Sequence, residues 1–230
     1  MSKIYAVIPA RGGSKRIPDK NIQLMNGKPL IAYPIEAAQL SGVFEEIIVS
    51  TDSQTIAEAA RTCGAKTPFI RDKSLADDFT PTIPVIRDSI LRVEDIGESD
   101  LVCCLYPTSI FITPDLLRSA AEMSQSLRQD NFLVSFTKFP YPIQRALRKN
   151  DEGELTFVNP ENANVRSQDL ETSFHDAAQF YFARKSAWIS QDSVFRHAIG
   201  IELSSNLVQD IDTPDDLERA RLILNLRNSE

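Results

Sequence analysis

The amino-acid sequence predicts an α/β fold built on a doubly wound, mainly parallel sheet. Short apolar runs alternate along the chain with segments whose apolar residues recur at three- and four-residue spacing, as strands alternate with helices. The short runs are apolar on both faces and rich in branched residues, as buried parallel strands are. Of the 230 residues, 42% are hydrophobic and 25% are charged. This is enough apolar material for the core of a single domain, 1–230.

The predicted elements follow one another in regular order. Strands are predicted at 4–8 (IYAVI), 46–50 (EIIVS), 101–106 (LVCCLY) and 131–136 (NFLVSF). Helices are predicted within 29–40, 53–64, 82–96 and 113–127. Thr113 is the expected N-cap of the last of these helices, with Pro114 in its first turn. Near the end of the sequence, a strand is predicted at 197–203 and a helix at 213–227.

The alternation stops after Phe136. A hairpin is predicted around 150–154 (NDEGE), followed by a long polar connection and a strand at 178–183. This part of the chain is either a second small sheet or an arm that leaves the globule, and such long connections usually serve a function or an interface. Because the apolar stretch FPYPI would be poorly covered in a monomer, we interpret 138–175 as a dimerisation arm.

Charge and cysteine content restrict the class of protein. The net charge of −7 and the pI of 5.0 argue against nucleic-acid or membrane-surface partners. The sequence has no apolar run of about 18 residues and no signal-peptide pattern at its start. Cys103 and Cys104 are adjacent on a predicted strand, so we expect reduced thiols on opposite faces of the sheet. These features predict a cytoplasmic protein.

The loop after the first strand carries four cations within ten residues: Arg11, Lys15, Arg16 and Lys20. Ligands bind at the carboxyl ends of strands in open α/β sheets. Gly12 and Gly13 allow close backbone approach, and amides with cations can surround a polyphosphate. The loop lacks the spacing of a P-loop or of a dinucleotide fingerprint. We favour an anion site over a solvated surface loop, and we expect its exposed cations to contribute little to folding.

This loop and several later segments resemble the CMP-sugar synthetases, cytidylyltransferases that activate sialic-acid-like sugars. The matching segments are 8–21 (IPARGGSKRIPDKN), 27–38 (GKPLIAYPIEAA), 47–60 (IIVSTDSQTIAEAA), 70–82 (IRDKSLADDFTPT), 105–111 (LYPTSIF) and 209–220 (QDIDTPDDLERA). They span nearly the whole chain in the family's order. The resemblance implies a sheet of the nucleotide-diphospho-sugar transferase type. It also implies attack of a sugar hydroxyl on the α-phosphate of CTP, with positioning and charge stabilisation doing most of the catalysis.

The resemblance also implies roles for individual residues. The catalytic residues would be Arg11, Lys20 and Asp212. The nucleotide would be bound by Ala10, Arg11, Gly13, Ser14, Lys15, Asn21, Arg71, Thr80 and Thr82, with Asn21 holding the cytidine portion. Arg16, like the other loop cations, suits negative charge that develops on the bridging and leaving oxygens, although it stands where sialate synthetases often carry Gly. Four nearby residues can be explained by structural roles as well as by ligand binding. Ser53 would cap the helix that follows it, and the others would be loop residues: Asp52, Asp77 and Asp78.

A magnesium site is predicted at Asp210 and Asp212. In an extended segment, two carboxylates two residues apart face the same side, and such oxygen ligands suit Mg²⁺ bridged to phosphate. The family carries its Mg²⁺ ligands at the matching positions; a structural pair is the alternative. Thr213 is expected to cap the last helix, with Asp215 and Asp216 near its positive end.

The sugar site is predicted from two further stretches. Tyr106 replaces a Gln of sialate synthetases, and FPYPIQRAL with 175–182 (HDAAQFYF) resembles the branch that acts on pseudaminic acid, a nonulosonic acid of bacterial surface glycans. That branch typically has Gly at the position of Ala178. The implied sugar-binding residues are Tyr106, Thr108, Ser109, Arg166, Gln168, His175, Asp176, Gln179 and Tyr181. Arg166 or Gln168 would reach the partner's site in a homodimer. A sialic or legionaminic acid enzyme and an inactive nucleotide-binding regulator are the alternatives.

Overall fold

A computed structural model describes residues 2–227; Met1 and 228–230, at the ends of the predicted domain, lie outside the described residues. The strands are β1 (Ile4–Pro9), β2 (Leu24–Met25), β3 (Lys28–Pro29), β4 (Glu46–Ser50), β5 (Leu101–Leu105), β6 (Phe132–Lys138), β7 (Leu147–Lys149), β8 (Leu155–Phe157), β9 (Phe174–Arg184) and β10 (Ala198–Leu203). The helices are α1 (Ala32–Ser41), α2 (Gln54–Thr62), α3 (Thr82–Arg92), α4 (Pro114–Gln125), α5 (Lys185–Ser190) and α6 (Pro214–Arg227).

The central sheet has six strands in the order β10-β6-β9-β5-β1-β4. All neighbouring strands are parallel except β9, which runs antiparallel to both β5 and β6. The predicted mainly parallel α/β fold is therefore confirmed. Strand β9 begins four residues earlier than predicted, because Phe174, His175 and Asp176 pair with the end of β6 beyond a bulge.

Each strand and helix predicted from the sequence is present, with ends shifted by a few residues. Ser53 and Thr113 cap α2 and α4 through hydrogen bonds from Ile56 and Leu116. Among the α-helices and strands described, the sequence analysis missed α5 and the small hairpin formed by β2 and β3. Both are too short for the spacing of their apolar residues to be distinguished from that of a loop.

The core packs against both faces of the sheet. Cys103 lies in the apolar cluster on one face and Cys104 in the cluster on the other, and both are buried free thiols, as predicted. A third cluster joins Ile17 of the basic loop to Ile211 and to Leu224 of α6. This cluster holds the loop after β1 against the segment before α6, although the two are far apart in the sequence.

The segment 138–175 leaves the central sheet after β6 and returns as β9. It contains the predicted hairpin, β7 paired with β8, and several of its apolar side chains are exposed. Tyr141 is 81% exposed, Leu155 62% and Leu147 52%. Within the described residues, no helix has both the length and the apolar character needed to cross a membrane.

Candidate active site

A cavity of about 370 Å³ opens at the carboxyl ends of β1 and β5. Its walls are the basic loop after β1, the segment 71–82, the start of β9 and the segment 210–212. The predicted site residues that line it are Arg11, Ser14, Lys20, Asn21, Arg71, Thr80, Thr82, Tyr106, Thr108, Asp176, Tyr181, Asp210 and Asp212. Residues from five separate segments thus meet where ligands bind in open α/β sheets.

Other predicted residues do not line this cavity. Ala10 is buried and donates its amide to the Ser50 carbonyl. Ser109 and Gln179 are buried behind the wall, where Ser109 Oγ donates to the Gln179 carbonyl at 2.9 Å. The remaining residues are on the surface or in the arm: Gly13, Lys15, Arg166, Gln168 and His175. Their roles remain predictions.

The four loop cations pair with two carboxylates. Arg11 and Lys15 each lie 2.5 Å from an oxygen of Asp78. Arg16 and Lys20 lie 2.6 and 3.0 Å from the two oxygens of Asp212. Of these six side chains, Arg11, Lys20, Asp78 and Asp212 line the cavity, and the cations outnumber the two carboxylates that they contact. A cluster of four cations in one loop suits a polyanion that can take the place of these carboxylates.

Lys20 differs from the expected exposed loop cation. Its side chain is only 19% exposed, and Nζ also donates to the Ile211 carbonyl at 2.5 Å. The prediction that Lys20 is an exposed loop cation is therefore wrong, because the small apolar cluster around Ile17 brings Lys20 against the segment before α6. Its contribution to folding stays a prediction.

Asp210 and Asp212 both line the cavity, as expected of alternate residues in an extended segment. Partial burial, and then the charge of Asp212, raises the pKa of Asp210 above its ordinary value, although its side chain retains access to solvent. Burial acts to raise the pKa of Asp212 as well, but hydrogen bonds and charge from Lys20 and Arg16 outweigh this effect and lower it. Two neighbouring carboxylates, one of them destabilised as an anion, fit a divalent cation.

A metal here would need ligands from outside the protein. Among residues 2–227, no group of three or more His, Cys, Asp or Glu side chains is placed to hold a metal ion. Mg²⁺ commonly takes one or two carboxylates and completes its shell with water and substrate phosphates. The pair Asp210 and Asp212, beside a cation-lined cavity, matches that requirement.

Arg71 and Asn21 carry buried polar atoms that lack partners. Arg71 is 3% exposed, its Nε and Nη2 have no hydrogen-bond partner, and Asp52 lies 3.9 Å from Nη2. Burial lowers the pKa of Arg71. Asn21 Nδ2 donates to the Arg11 carbonyl at 2.9 Å, which leaves Oδ1 without a partner. Unpaired buried groups of this kind are unfavourable in a free protein and suit a polar ligand.

Tyr106, Thr82, Tyr181 and Asp176 form a polar aromatic wall of the cavity. The hydroxyls of Tyr106 and Thr82 are 2.6 Å apart, and the Tyr106 and Tyr181 rings pack edge to face. Tyr181 donates to Asp176 Oδ2. Burial raises the pKa of both phenols well above the ordinary value, so they stay protonated. The wall thus offers hydroxyls and one carboxylate to a polar ligand.

Several residues of the site lacked a clear signal in the sequence. Leu75, Val85 and Pro107 line the cavity, but apolar residue types indicate no chemistry. Ala178 also lines it and has φ +48°, in the left-handed region that favours glycine. The only indication of this backbone conformation in the sequence analysis was that the resembling branch typically has Gly at this position. Asp52 accepts the Gly12 amide at 2.8 Å, which shows that this carboxylate orders the loop.

The fold and the cavity define an α/β protein with a polyanion-suited pocket at the carboxyl ends of its strands. The model of the cytidylyltransferase family matches residues 5–220. The chain therefore belongs to the cytidylyltransferase family, whose members are nucleotidyltransferases.

Two curated relatives and one solved structure resemble the chain over nearly its whole length. The chain is 44% identical, over 96% of both sequences, to a pseudaminic acid cytidylyltransferase of Campylobacter jejuni subsp. jejuni serotype O:2. It is 34% identical, over 93% of both, to a CMP-N,N'-diacetyllegionaminic acid synthase of Legionella pneumophila. A CMP:2-keto-3-deoxy-manno-octonic acid synthetase complexed with CTP has the same fold, with a TM-score of 0.73 over 98% of this chain and 100% of that one, at 18% identity.

Proposed function

We propose that the chain transfers the cytidylyl group of CTP to pseudaminic acid and releases pyrophosphate. The observation that carries this assignment is 44% identity along 96% of the Campylobacter jejuni enzyme. The lower identity of 34% to the legionaminic acid enzyme makes that sugar the second candidate. The unpaired cysteines favour a reducing compartment, and we assign the reaction to the cytoplasm.

The loop cations would bind the triphosphate of CTP. In the reaction, the oxygen of a sugar hydroxyl forms a bond to the α-phosphorus and loses its proton to solvent. The bond from the α-phosphorus to the bridging oxygen breaks, and negative charge moves onto the leaving pyrophosphate. Arg11 and Lys20 line the cavity and would stabilise that charge. Asp210 and Asp212 would hold Mg²⁺, which supplies charge neutralisation on the phosphates.

Arg71 and Asn21 would bind the cytosine. The unpaired Arg71 Nε and Nη2 are donors, and the unpaired Asn21 Oδ1 is an acceptor. Cytosine presents an amino donor where uracil presents a carbonyl acceptor. Uracil would therefore face Asn21 Oδ1 with an acceptor, and a mismatch that leaves buried polar groups unpaired is strongly disfavoured.

Pyrophosphate release tests the proposed function. The purified chain is assayed with CTP, UTP, ATP and GTP against pseudaminic, legionaminic and sialic acids. We expect turnover with CTP and pseudaminic acid to exceed that of every other combination. Equal turnover with UTP would contradict the cytosine site, a preference for another acid would contradict the sugar assignment, and CTP binding without turnover would indicate a regulator.

Asp210→Asn tests the metal site. Asp210 is the better probe because Asp212 also pairs with Arg16 and Lys20. Losing one charged ligand should raise the Mg²⁺ concentration for half-maximal turnover by about tenfold. The measurement is a Mg²⁺ titration of metal-free enzyme, with Asp215→Asn in the first turn of α6 as the matched control. If both variants match the wild type, Asp210 is not a metal ligand.

We further propose that the arm, 138–175, forms a homodimer. Its exposed apolar side chains, such as Tyr141 and Leu155, are of the kind that often marks an interface. Gln168 lines a second cavity of about 300 Å³ together with Phe139 and Tyr141. A partner seated on this surface would bury these side chains, and Arg166 and Gln168 would then lie near the partner's sugar site.

Mixing two inactive variants tests the arrangement across the dimer. Light scattering should give about twice the 25.7 kDa chain mass. Arg166→Ala and Lys20→Ala subunits, exchanged at equal amounts, should recover roughly a quarter of wild-type turnover, because half of the dimers are mixed and each has one intact site. An active monomer would contradict the dimer. A dimer without recovery would place Arg166 outside the partner's site.

A further inference from the structure

The carboxylate of Asp78 contacts two cations in the way that a phosphate group would. Arg11 Nη1 lies 2.5 Å from Oδ1 and Lys15 Nζ lies 2.5 Å from Oδ2. Each oxygen thus takes one cation, as two phosphate oxygens do. Hydrogen bonds from Lys15 and then Arg11 lower the pKa of Asp78 below its ordinary value. The two cations therefore face an ionised carboxylate at neutral pH.

The segment that carries Asp78 is held by local hydrogen bonds instead of core packing. Asp72 accepts the Ser74 amide at 2.8 Å, and Asp77 accepts the Phe79 and Thr80 amides at 2.9 and 2.7 Å. Phe79, next to Asp78, is 89% exposed. Because so little apolar surface is buried, the segment can withdraw Asp78 from the cations at small loss of packing.

We propose that Asp78 occupies the place of a phosphate group, is displaced when the triphosphate of CTP binds, and returns when pyrophosphate leaves. A triphosphate carries several negative charges and outcompetes one carboxylate for Arg11 and Lys15. Pyrophosphate must hold the same cations against the returning carboxylate. Asp78 thus acts through Arg11 and Lys15 as a positioning residue that weakens retention of the product. This inference rests on the proposed function for its nucleotide and product.

The test is calorimetric titration of the intact chain with inorganic pyrophosphate. Asp78→Asn removes the competing charge and should bind pyrophosphate roughly three- to tenfold more tightly, the range expected when two partly exposed ion pairs are lost. A second neutral variant, Asp78→Ser, should show the same tightening, and Asp78→Glu should restore wild-type affinity. Asp72→Asn, which changes the same charge in the same segment without contacting a cation, should bind as the wild type does.

Turnover gives a second readout. In Asp78→Asn the KM for CTP should fall by a similar factor while kcat does not rise, because the product leaves more slowly. Unchanged or weaker pyrophosphate binding in both neutral variants would overturn the inference, and so would equal tightening in Asp72→Asn. Tighter binding without turnover on any acid would uphold the inference and contradict the proposed function. A wild-type chain that binds neither CTP nor pyrophosphate would overturn both.

Discussion

Arg71→Met is expected to lower kcat/KM for CTP by about a hundredfold and at the same time to raise the melting temperature. The substitution removes donors proposed to bind cytosine, and each hydrogen bond from a charged group contributes about 1.5–3 kcal/mol. In the free protein, however, Nε and Nη2 are buried without hydrogen-bond partners. Replacing them with an apolar side chain of similar length should stabilise the fold by about 1 kcal/mol, or roughly 2–4 °C at this chain length.

Arg87→Met is the matched control. Arg87 Nε and Nη2 donate to the carbonyls of Trp188 and Gln191 at 3.1 and 2.8 Å, so its guanidinium is paired within the protein. Removing it should lower the melting temperature and leave the KM for CTP unchanged. Thermal unfolding and CTP kinetics on both variants check the contrast. If Arg71→Met melts below the wild type, the ion pair of Arg71 with Asp52 outweighs the cost of its buried donors without hydrogen bonds, and the argument for a ligand at Arg71 fails.

Lys20→Met is expected to reduce kcat/KM for CTP by roughly ten- to a hundredfold, because a charge-assisted contact to phosphate contributes about 1.5–3 kcal/mol. Unlike a surface loop cation, Lys20 also donates to the Ile211 carbonyl and to Asp212. We therefore expect a loss of about 1 kcal/mol of stability as well.

Lys28→Met separates this effect from the loss of a positive charge in general. Lys28 pairs with Glu36 away from the cavity, and its side chain is 47% exposed. It should keep wild-type kinetics and stability. Initial rates at varied CTP and thermal unfolding check both variants. Wild-type kcat/KM in folded Lys20→Met would move the phosphate site elsewhere.

The sequence predicted the sheet well because its strands are distinctive. The runs at 4–8, 46–50 and 101–106 are apolar on both faces. This pattern is typical of parallel strands, which are covered on both sides of the sheet. The apolar pattern does not show in which direction β9 runs relative to its neighbouring strands. Its composition is the same whichever way it runs, and its antiparallel pairing with β5 and β6 follows from the path of the segment 138–175.

The site was predicted only in part, because the sequence shows residue types and does not show which distant residues meet. Residue types with clear chemistry, such as Lys20, Arg71 and Asp212, were identified, and the structure brings them to one cavity. Pairings between distant charges were not predicted. Asp78 contacts Arg11 across 67 residues and Asp212 contacts Arg16 across 196, and an unaligned sequence does not say which of many carboxylates each cation contacts. The burial of Lys20 was missed because it depends on the same long-range packing.

The contact between Arg16 and Asp212 also has a consequence for the newly made chain. At synthesis rates of about 5–20 residues per second, the 196 residues that separate them take roughly 10–40 seconds to add. The basic loop and Asp78 emerge from the ribosome early, so their ion pairs can form while translation continues. Asp212 and α6 follow among the last residues of the sequence shown. The complete central sheet needs β9 and β10, which are also made late, so a nascent chain would at first hold only the part of the sheet formed by β1, β4 and β5. Arg16 and Lys20 would gain the carboxylate that they contact only after Asp212 has been made.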